Sequence, residues 1–214
     1  MLLELGLKTL LGYLLGSLMG GLIVGRLRGG VDIRSVGSGN VGGTNALRTQ
    51  GKMFAFWVVL IDVIKGVIAA AVLPQLRIPG VDIDPQVHRD WLVMACAAAA
   101  VCGHVYPVWY GFRGGKGAAT LVGTLLGIQP ALLIPVLVAW LVVVMLSGYV
   151  GLATMCASVS LPIYLCATQA PLPAALTAFS VVMAVFVIYT HRSNVSRMLR
   201  HTEPRAHRLW LLRR

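Results

Sequence analysis

Gly117–Leu146 reads GAATLVGTLLGIQPALLIPVLVAWLVVVML, thirty residues without a charged side chain. A membrane-spanning helix takes about 17 to 25 apolar residues, so the stretch is too long for one comfortable crossing. Gln129-Pro130 divides it, because proline lacks an N–H and turns the residue before it away from helix. Two shorter helices joined by a tight hairpin are expected. Outward from this pair, further apolar stretches long enough to span fall at Leu2–Val24, Met53–Leu73, Trp91–Tyr110, Leu152–Thr168 and Leu172–Thr190. The expectation is an all-α, polytopic membrane helix bundle of seven transmembrane helices, with residues 1–214 forming a single integral membrane domain.

Composition agrees. The chain is 57% hydrophobic and 12% charged, too little polar surface for a soluble domain of 214 residues. The net charge of +11 is explained by the positive-inside bias, and no nucleic-acid motif accompanies it. Cys96, Cys102, Cys156 and Cys166 lie in apolar stretches without metal-ligand or CxxC spacing, and read as small buried hydrophobes. The first stretch lacks the basic start and small-residue cleavage site of a signal peptide, and is read as a retained span.

The cations choose an orientation. Arg26, Arg28, Arg34, Arg48 and Lys52 lie between the first two spans. Arg113 and Lys116 follow the third. Arg192, Arg197, Arg200, Arg205, Arg208, Arg213 and Arg214 follow the last. The loop 74–90 carries only Arg77 and Arg89 against three aspartates. The bias puts the N-terminus outside and the C-terminus in the cytoplasm. Three polar segments then face one compartment and can converge.

The first segment, GSGNVGGTNALR at 37–48, matches the glycine spacing of a dinucleotide fingerprint. That fingerprint needs a soluble βαβ unit, which this context excludes. What remains suits a small polyol phosphate: Asn40, Thr44 and Asn45 toward hydroxyls, Arg48 toward phosphate as a bidentate partner. A polar turn whose Asn and Ser side chains cap helices is the alternative.

The second segment, FRGGKG at 112–117, has the glycines for an anion-binding nest of successive backbone N–H groups, a cation in Lys116, and a helix start behind it. A plain tight turn is its rival. It is no ATP loop, since Tyr110 and Gly117 stand where glycine and a hydroxyl residue are required. His104 precedes it and is a candidate phosphate donor or proton acceptor, or a histidine satisfied by backbone carbonyls. Within the second span Asp62 and Lys65 stand three apart on one helix face, and are expected to pair in the bundle interior.

The third segment, HRSNVSR at 191–197 with Glu203 beyond, repeats His191, Asn194 and Arg197 at helical spacing. An anion-transporting reading lacks the paired broken-helix repeats common in transporters. A metal-dependent phosphotransferase would need an aspartate cluster that the polar segments do not contain.

Together GSGNVGGTNALR, GHVYPVWYGFRGGKGAAT and HRSNVSRML…TEPR, in this order, closely resemble the bacterial membrane acyl-phosphate:glycerol-3-phosphate acyltransferases, the PlsY family. The likeness runs over nearly the whole chain. It implies transfer of a fatty acyl group from acyl phosphate to the sn-1 hydroxyl of glycerol 3-phosphate, giving lysophosphatidic acid and inorganic phosphate. No cofactor or metal is implied. The resemblance places the active site on the cytoplasmic face of the bacterial inner membrane, the donor supplied by a soluble phosphate acyltransferase. Roles carry over to Ser38 and Arg48; to His104, Lys116 and the adjacent Gly114, Gly115 and Gly117; to His191, Asn194 and Glu203; and, less closely matched, to Thr154. Two departures are Gly43, where the family usually has alanine, and His201, where it usually has glycine. The HxxxxD arrangement of thioester-dependent acyltransferases follows none of the histidines.

Overall fold

The computed structural model describes residues 3–207 and 209–212; the expectations placed on Leu2, Arg208, Arg213 and Arg214 lie outside the described residues. The described secondary structure is helical throughout. Two compact units, Met1–Gln129 and Pro130–Arg214, are taken in turn.

The N-terminal unit contains α1 (Leu3–Gly16), α2 (Gly20–Leu27), α3 (Gly43–Gln50), α4 (Lys52–Val67), α5 (Arg89–Val105) and α6 (Ala118–Ile128). A π turn at Ile68–Val72 and a 3-10 turn at Leu73–Gln75 prolong α4, so that Lys52–Gln75 is one apolar run of 24 residues. Arg89–Tyr110 is a second, of 22 residues. The expected first span is not one helix: α1 and α2 meet at a 45° bend. Side chains of α4 satisfy this break. Lys65 Nζ donates to the Leu18 carbonyl at 2.6 Å, and Asp62 Oδ1 accepts from the Gly20 N–H at 3.2 Å. Backbone groups at membrane depth need such partners, because lipid offers none.

Small residues let the helices approach. A Cβ on Gly16 would lie 2.1 Å from the Ala100 carbonyl oxygen, and one on Gly123 would lie 2.0 Å from that of Val63. With no water to expel between helices in lipid, such backbone contact is the main source of packing energy. Asp62 and Lys65 pair at 2.9 Å, both buried, as expected. At the far end of α1, the buried Glu4 is clasped by Lys8 at 2.8 Å and Arg89 at 2.7 Å. That clasp ties loop 76–88 to the bundle, since Glu4 also accepts from the Asp84 N–H.

Gln129 is extended (φ −163°, ψ 109°), as a residue before proline should be, and α6 ends there. The C-terminal unit then contains α7 (Leu133–Ser147), α8 (Val150–Thr168), α9 (Ala174–Thr190) and α10 (Arg192–Leu199). Pro130–Ser147 and Val150–Thr168 are long and apolar enough to span; α9 and α10 make a pair bent by 50°. Residues such as Ile134, Leu137, Val138, Val182 and Val185 are more than two-fifths exposed, which lipid satisfies and water would not. All four cysteines are free thiols. Cys96 is buried as expected, Cys102 and Cys156 are only partly buried, and Cys166 is exposed on the last turn of α8, contrary to the expectation of burial.

Candidate active site

In the N-terminal unit the first polar segment links α2 to α3. Gly37 (φ 61°) and Gly39 (φ 70°) are left-handed, a conformation that costs an L-residue about 1–2 kcal/mol. Between them Ser38 stands exposed at the tip of the turn, its N–H bound to Asn45 Oδ1 at 2.9 Å. Asn45 is buried, and its Nδ2 donates to the carbonyls of Ile33 and Val36, each at 3.1 Å. The expectation that Asn45 addresses substrate hydroxyls is therefore corrected. Its amide is spent on holding the turn that carries Ser38. Asn40 Oδ1 caps the Gly42 N–H at 2.9 Å, in the local Asx pattern of a turn residue. Thr44 and Arg48 lie on α3 with exposed side chains. Before this turn Asp32 and Arg34 form a fork (2.7 Å). The Arg34 guanidinium holds the Asp32 carboxyl below the usual carboxylate range, and Asp32 pushes Arg34 upward in return.

The position of Gly43 explains one departure from the family pattern. A Cβ there would lie 2.3 Å from Val59 Cγ2 of α4, so valine fills the space that an alanine methyl would need.

The second segment is built differently from the nest that its glycines suggest. Gly114 N–H donates to the Val105 carbonyl at 3.1 Å and Gly115 N–H to the His104 carbonyl at 3.0 Å. These are the orphan carbonyls at the C-terminus of α5. The two glycines therefore serve close approach, and successive N–H groups of this loop do not turn toward a common guest. Gly117 (φ 86°) caps α6 in the left-handed region. The anion-suited features that remain are Lys116 and the first turn of α6, whose N–H groups precede any intrahelical partner. His104 is buried beneath the loop: Nδ1 lies 2.9 Å from Lys65 Nζ, and Nε2 faces Gly115. Buried Thr120 Oγ1, in the same first turn, has no protein partner.

In the C-terminal unit the helix does not run on past Thr190. It bends at His191 (φ −94°, ψ 8°), which becomes the N-cap of α10 with its carbonyl accepting from the Asn194 and Val195 N–H groups, while Asn194 and Arg197 lie on α10 itself. Asn194 and Arg197 still meet through Glu203, which accepts from Asn194 Nδ2 at 2.7 Å and from Arg197 Nε at 2.6 Å. The left-handed residue His201 (φ 56°) closes the turn that brings Glu203 back. Asn194 packs on Gly151 of α8, where a Cβ would lie 2.8 Å from Nδ2. The buried Glu203 carboxylate thus braces two other side chains, and substrate binding, expected of it from the resemblance, is not needed to explain its burial. His191 Nδ1 lies 2.8 Å from the Val187 carbonyl oxygen. A carbonyl only accepts, so Nδ1 carries a proton and donates it. Thr154 Oγ1 donates to the Val150 carbonyl and accepts from Trp140 Nε1, which accounts for its hydroxyl internally.

In the segment after α10, Arg205 stacks on Tyr149 (4.8 Å) and Trp210 (4.0 Å), and docks that segment onto the α7–α8 turn.

The family model of glycerol-3-phosphate acyltransferase matches residues 7–201. A glycerol-3-phosphate acyltransferase of Sinorhizobium medicae is 40% identical over 94% of this chain and 95% of its own. That of Aquifex aeolicus is 36% identical over 92% and 96%. Among solved structures, the integral membrane glycerol 3-phosphate acyltransferase PlsY (YgiH) in its glycerol 3-phosphate form superposes with a TM-score of 0.79 at 34% identity, covering 94% of each chain. Its lysophosphatidic acid form gives 0.80 at 33%, over 96% of this chain and 97% of that one. The chain is a multi-pass membrane protein that belongs to the glycerol-3-phosphate acyltransferase family, of PlsY type.

Proposed function

We propose that this enzyme transfers a fatty acyl group from acyl phosphate to the sn-1 hydroxyl of glycerol 3-phosphate. The products are lysophosphatidic acid and inorganic phosphate, in the first acylation of phospholipid synthesis. The observation that most supports this reading is the local build of the N-terminal unit. An exposed arginine follows the glycine turn that holds Ser38, and a lysine stands at an uncapped helix start. Two groups suited to phosphate match a reaction with two phosphate-bearing substrates.

An acyl phosphate is a mixed anhydride and already activated, so the site has to orient a hydroxyl, stabilise an oxyanion and hold the departing phosphate. The hydroxyl oxygen attacks the acyl carbon, the carbon–oxygen bond to phosphate breaks, and inorganic phosphate leaves. The proton passes to a substrate phosphate oxygen or to Nε2 of His191. Ser38 orients the hydroxyl, Arg48 holds glycerol 3-phosphate, and Lys116 neutralises phosphate at α6; Asn194 and Arg197 are held ready by Glu203. We place the protein in the bacterial cytoplasmic membrane with seven spans, its N-terminus outside and its polar segments on the cytoplasmic face. A soluble phosphate acyltransferase supplies the donor.

Purified protein given acyl phosphate and glycerol 3-phosphate should release lysophosphatidic acid and inorganic phosphate in equal amounts, with no burst of acyl-enzyme in rapid-quench experiments. Turnover with acyl-CoA in place of acyl phosphate, or a stoichiometric burst, would overturn the proposal.

A further inference from the structure

Asp62 and Lys65 do more than neutralise each other. The Lys65 ammonium has three protons and three acceptors around it: the Leu18 carbonyl at 2.6 Å, Asp62 Oδ1 at 2.9 Å and His104 Nδ1 at 2.9 Å. Asp62 Oδ1 in addition takes the Gly20 N–H. The pair therefore reaches the α1–α2 break on one side and α5 on the other.

An ammonium has no lone pair, so His104 Nδ1 is the acceptor and the ring proton sits on Nε2. Asp62 Oδ1 lies farther from Nδ1, at 3.4 Å, and a proton on Nδ1 would be pressed against the Lys65 ammonium. Nε2 in turn faces the glycine loop. A Cβ on Gly115 would lie 2.0 Å from Nε2, and 2.9 and 3.0 Å from the two ring carbons beside it. Near-equal distances to those carbons put that point on the Nε2–H axis. The proton is thus directed into the space left by the missing Gly115 side chain, while the Gly115 N–H is bound to the His104 carbonyl.

We propose that Asp62 and Lys65 are positioning residues for the loop 114–117. Through His104 they fix the Nε2–H tautomer and seat the loop on α5, which sets Lys116 and the start of α6 for phosphate. The inference rests on the phosphate reading of that loop given above. Asp62 and Lys65 are buried and act through His104.

The test combines a spectroscopic and a kinetic readout. In 15N-histidine spectra of the purified protein, with His104→Gln used to assign its signals, His104 should show a protonated Nε2 and a bare Nδ1. The double variant Asp62→Asn/Lys65→Met removes both charges together, leaves no lone buried ion, and keeps an oxygen for the Gly20 N–H. In it the tautomer should shift toward Nδ1–H. The KM that Lys116→Ala raises should also rise, by about 10- to 150-fold for one lost charge-assisted contact, with a smaller change in kcat. Gly115→Ala leaves the buried pair intact and puts a methyl group on the Nε2–H axis, so it should raise the same KM while the Nε2–H tautomer persists. A wild-type His104 that is Nδ1–H or doubly protonated overturns the proposal, as does an unchanged KM in Gly115→Ala. If Lys116→Ala raises neither KM, the phosphate reading of the loop is what fails, and the tautomer still decides the link from Lys65 to His104.

Discussion

Asn45→Asp separates a residue that builds the Ser38 turn from one that touches substrate. The substitution is isosteric. Oδ1 still accepts from the Ser38 N–H, but the amide donor shared by the carbonyls of Ile33 and Val36 becomes an anionic oxygen facing both. Two net hydrogen bonds at about 1 kcal/mol each, plus a part of the cost of leaving buried acceptors unpaired, come to about 3 kcal/mol of local stability. At about 1.4 kcal/mol per factor of ten, opening of the turn should become roughly 140-fold more frequent. Hydrogen exchange read on residues 33–42 should speed up by that order while the apolar helices keep their protection, and kcat/KM should fall because Ser38 and Arg48 lose their setting. Wild-type exchange over 33–42 together with a raised KM for glycerol 3-phosphate would refute this reasoning, and would return Asn45 to the substrate contacts that sequence alone suggested.

Arg48→Lys keeps charge and loses the bidentate fork, so kcat/KM should drop by about 10- to 150-fold, mainly through the KM of glycerol 3-phosphate; a rise confined to the KM of acyl phosphate means that the two phosphate sites are assigned the wrong way round. Because arginine, lysine and a helix start carry the phosphate charge in this proposal, activity should survive EDTA, and complete inhibition reversed by Mg²⁺ would revive a metal-dependent reading. His201→Gly relieves a left-handed residue (φ 56°) at some cost in unfolded-chain entropy, for a net gain of about 0.5–1 kcal/mol; a lower thermal midpoint than wild type would show that the imidazole itself supports the turn.

What the sequence made legible is what local chemistry decides. Apolar runs, the break at Gln129-Pro130 and the buried Asp62–Lys65 pair follow from lipid solvation and helical spacing alone. Partner identity did not follow. Asn40 and Asn45 belong to one motif and have the same side chain, yet one caps a neighbouring N–H and the other reaches back to Ile33. The glycine loop was misread for a related reason. Gly-Gly permits both a nest and a close approach, and the choice lies with α5, whose last carbonyls need donors once Pro107 ends the helix. That signal was present, since any helix ending beside a proline leaves carbonyls to satisfy. The bend at Ser17–Met19 had a weaker signal: its partners lie 42 and 47 residues away in sequence, and only small residues mark the place.

His104 and His191 show how far partners, more than residue type, assign chemistry here. Both are buried at the end of an apolar helix, and both use Nδ1 to hold their place. His104 Nδ1 faces the Lys65 ammonium, which fits the Nε2–H tautomer proposed above; His191 Nδ1 faces the Val187 carbonyl and donates to it. The two rings are thus held in opposite senses at Nδ1, one facing a donor and the other an acceptor. The distinction needs no difference in sequence near either residue. It follows from what each Nδ1 meets: the Lys65 ammonium of α4 beside His104, and beside His191 the Val187 carbonyl, which also accepts from the His191 N–H and the Thr190 hydroxyl. In lipid, where an unpaired backbone or charged group has no water to turn to, a broken helix must draft side chains to finish its hydrogen bonds. The α1–α2 break does so with Asp62 and Lys65, and Lys65 in turn decides what His104 Nδ1 meets.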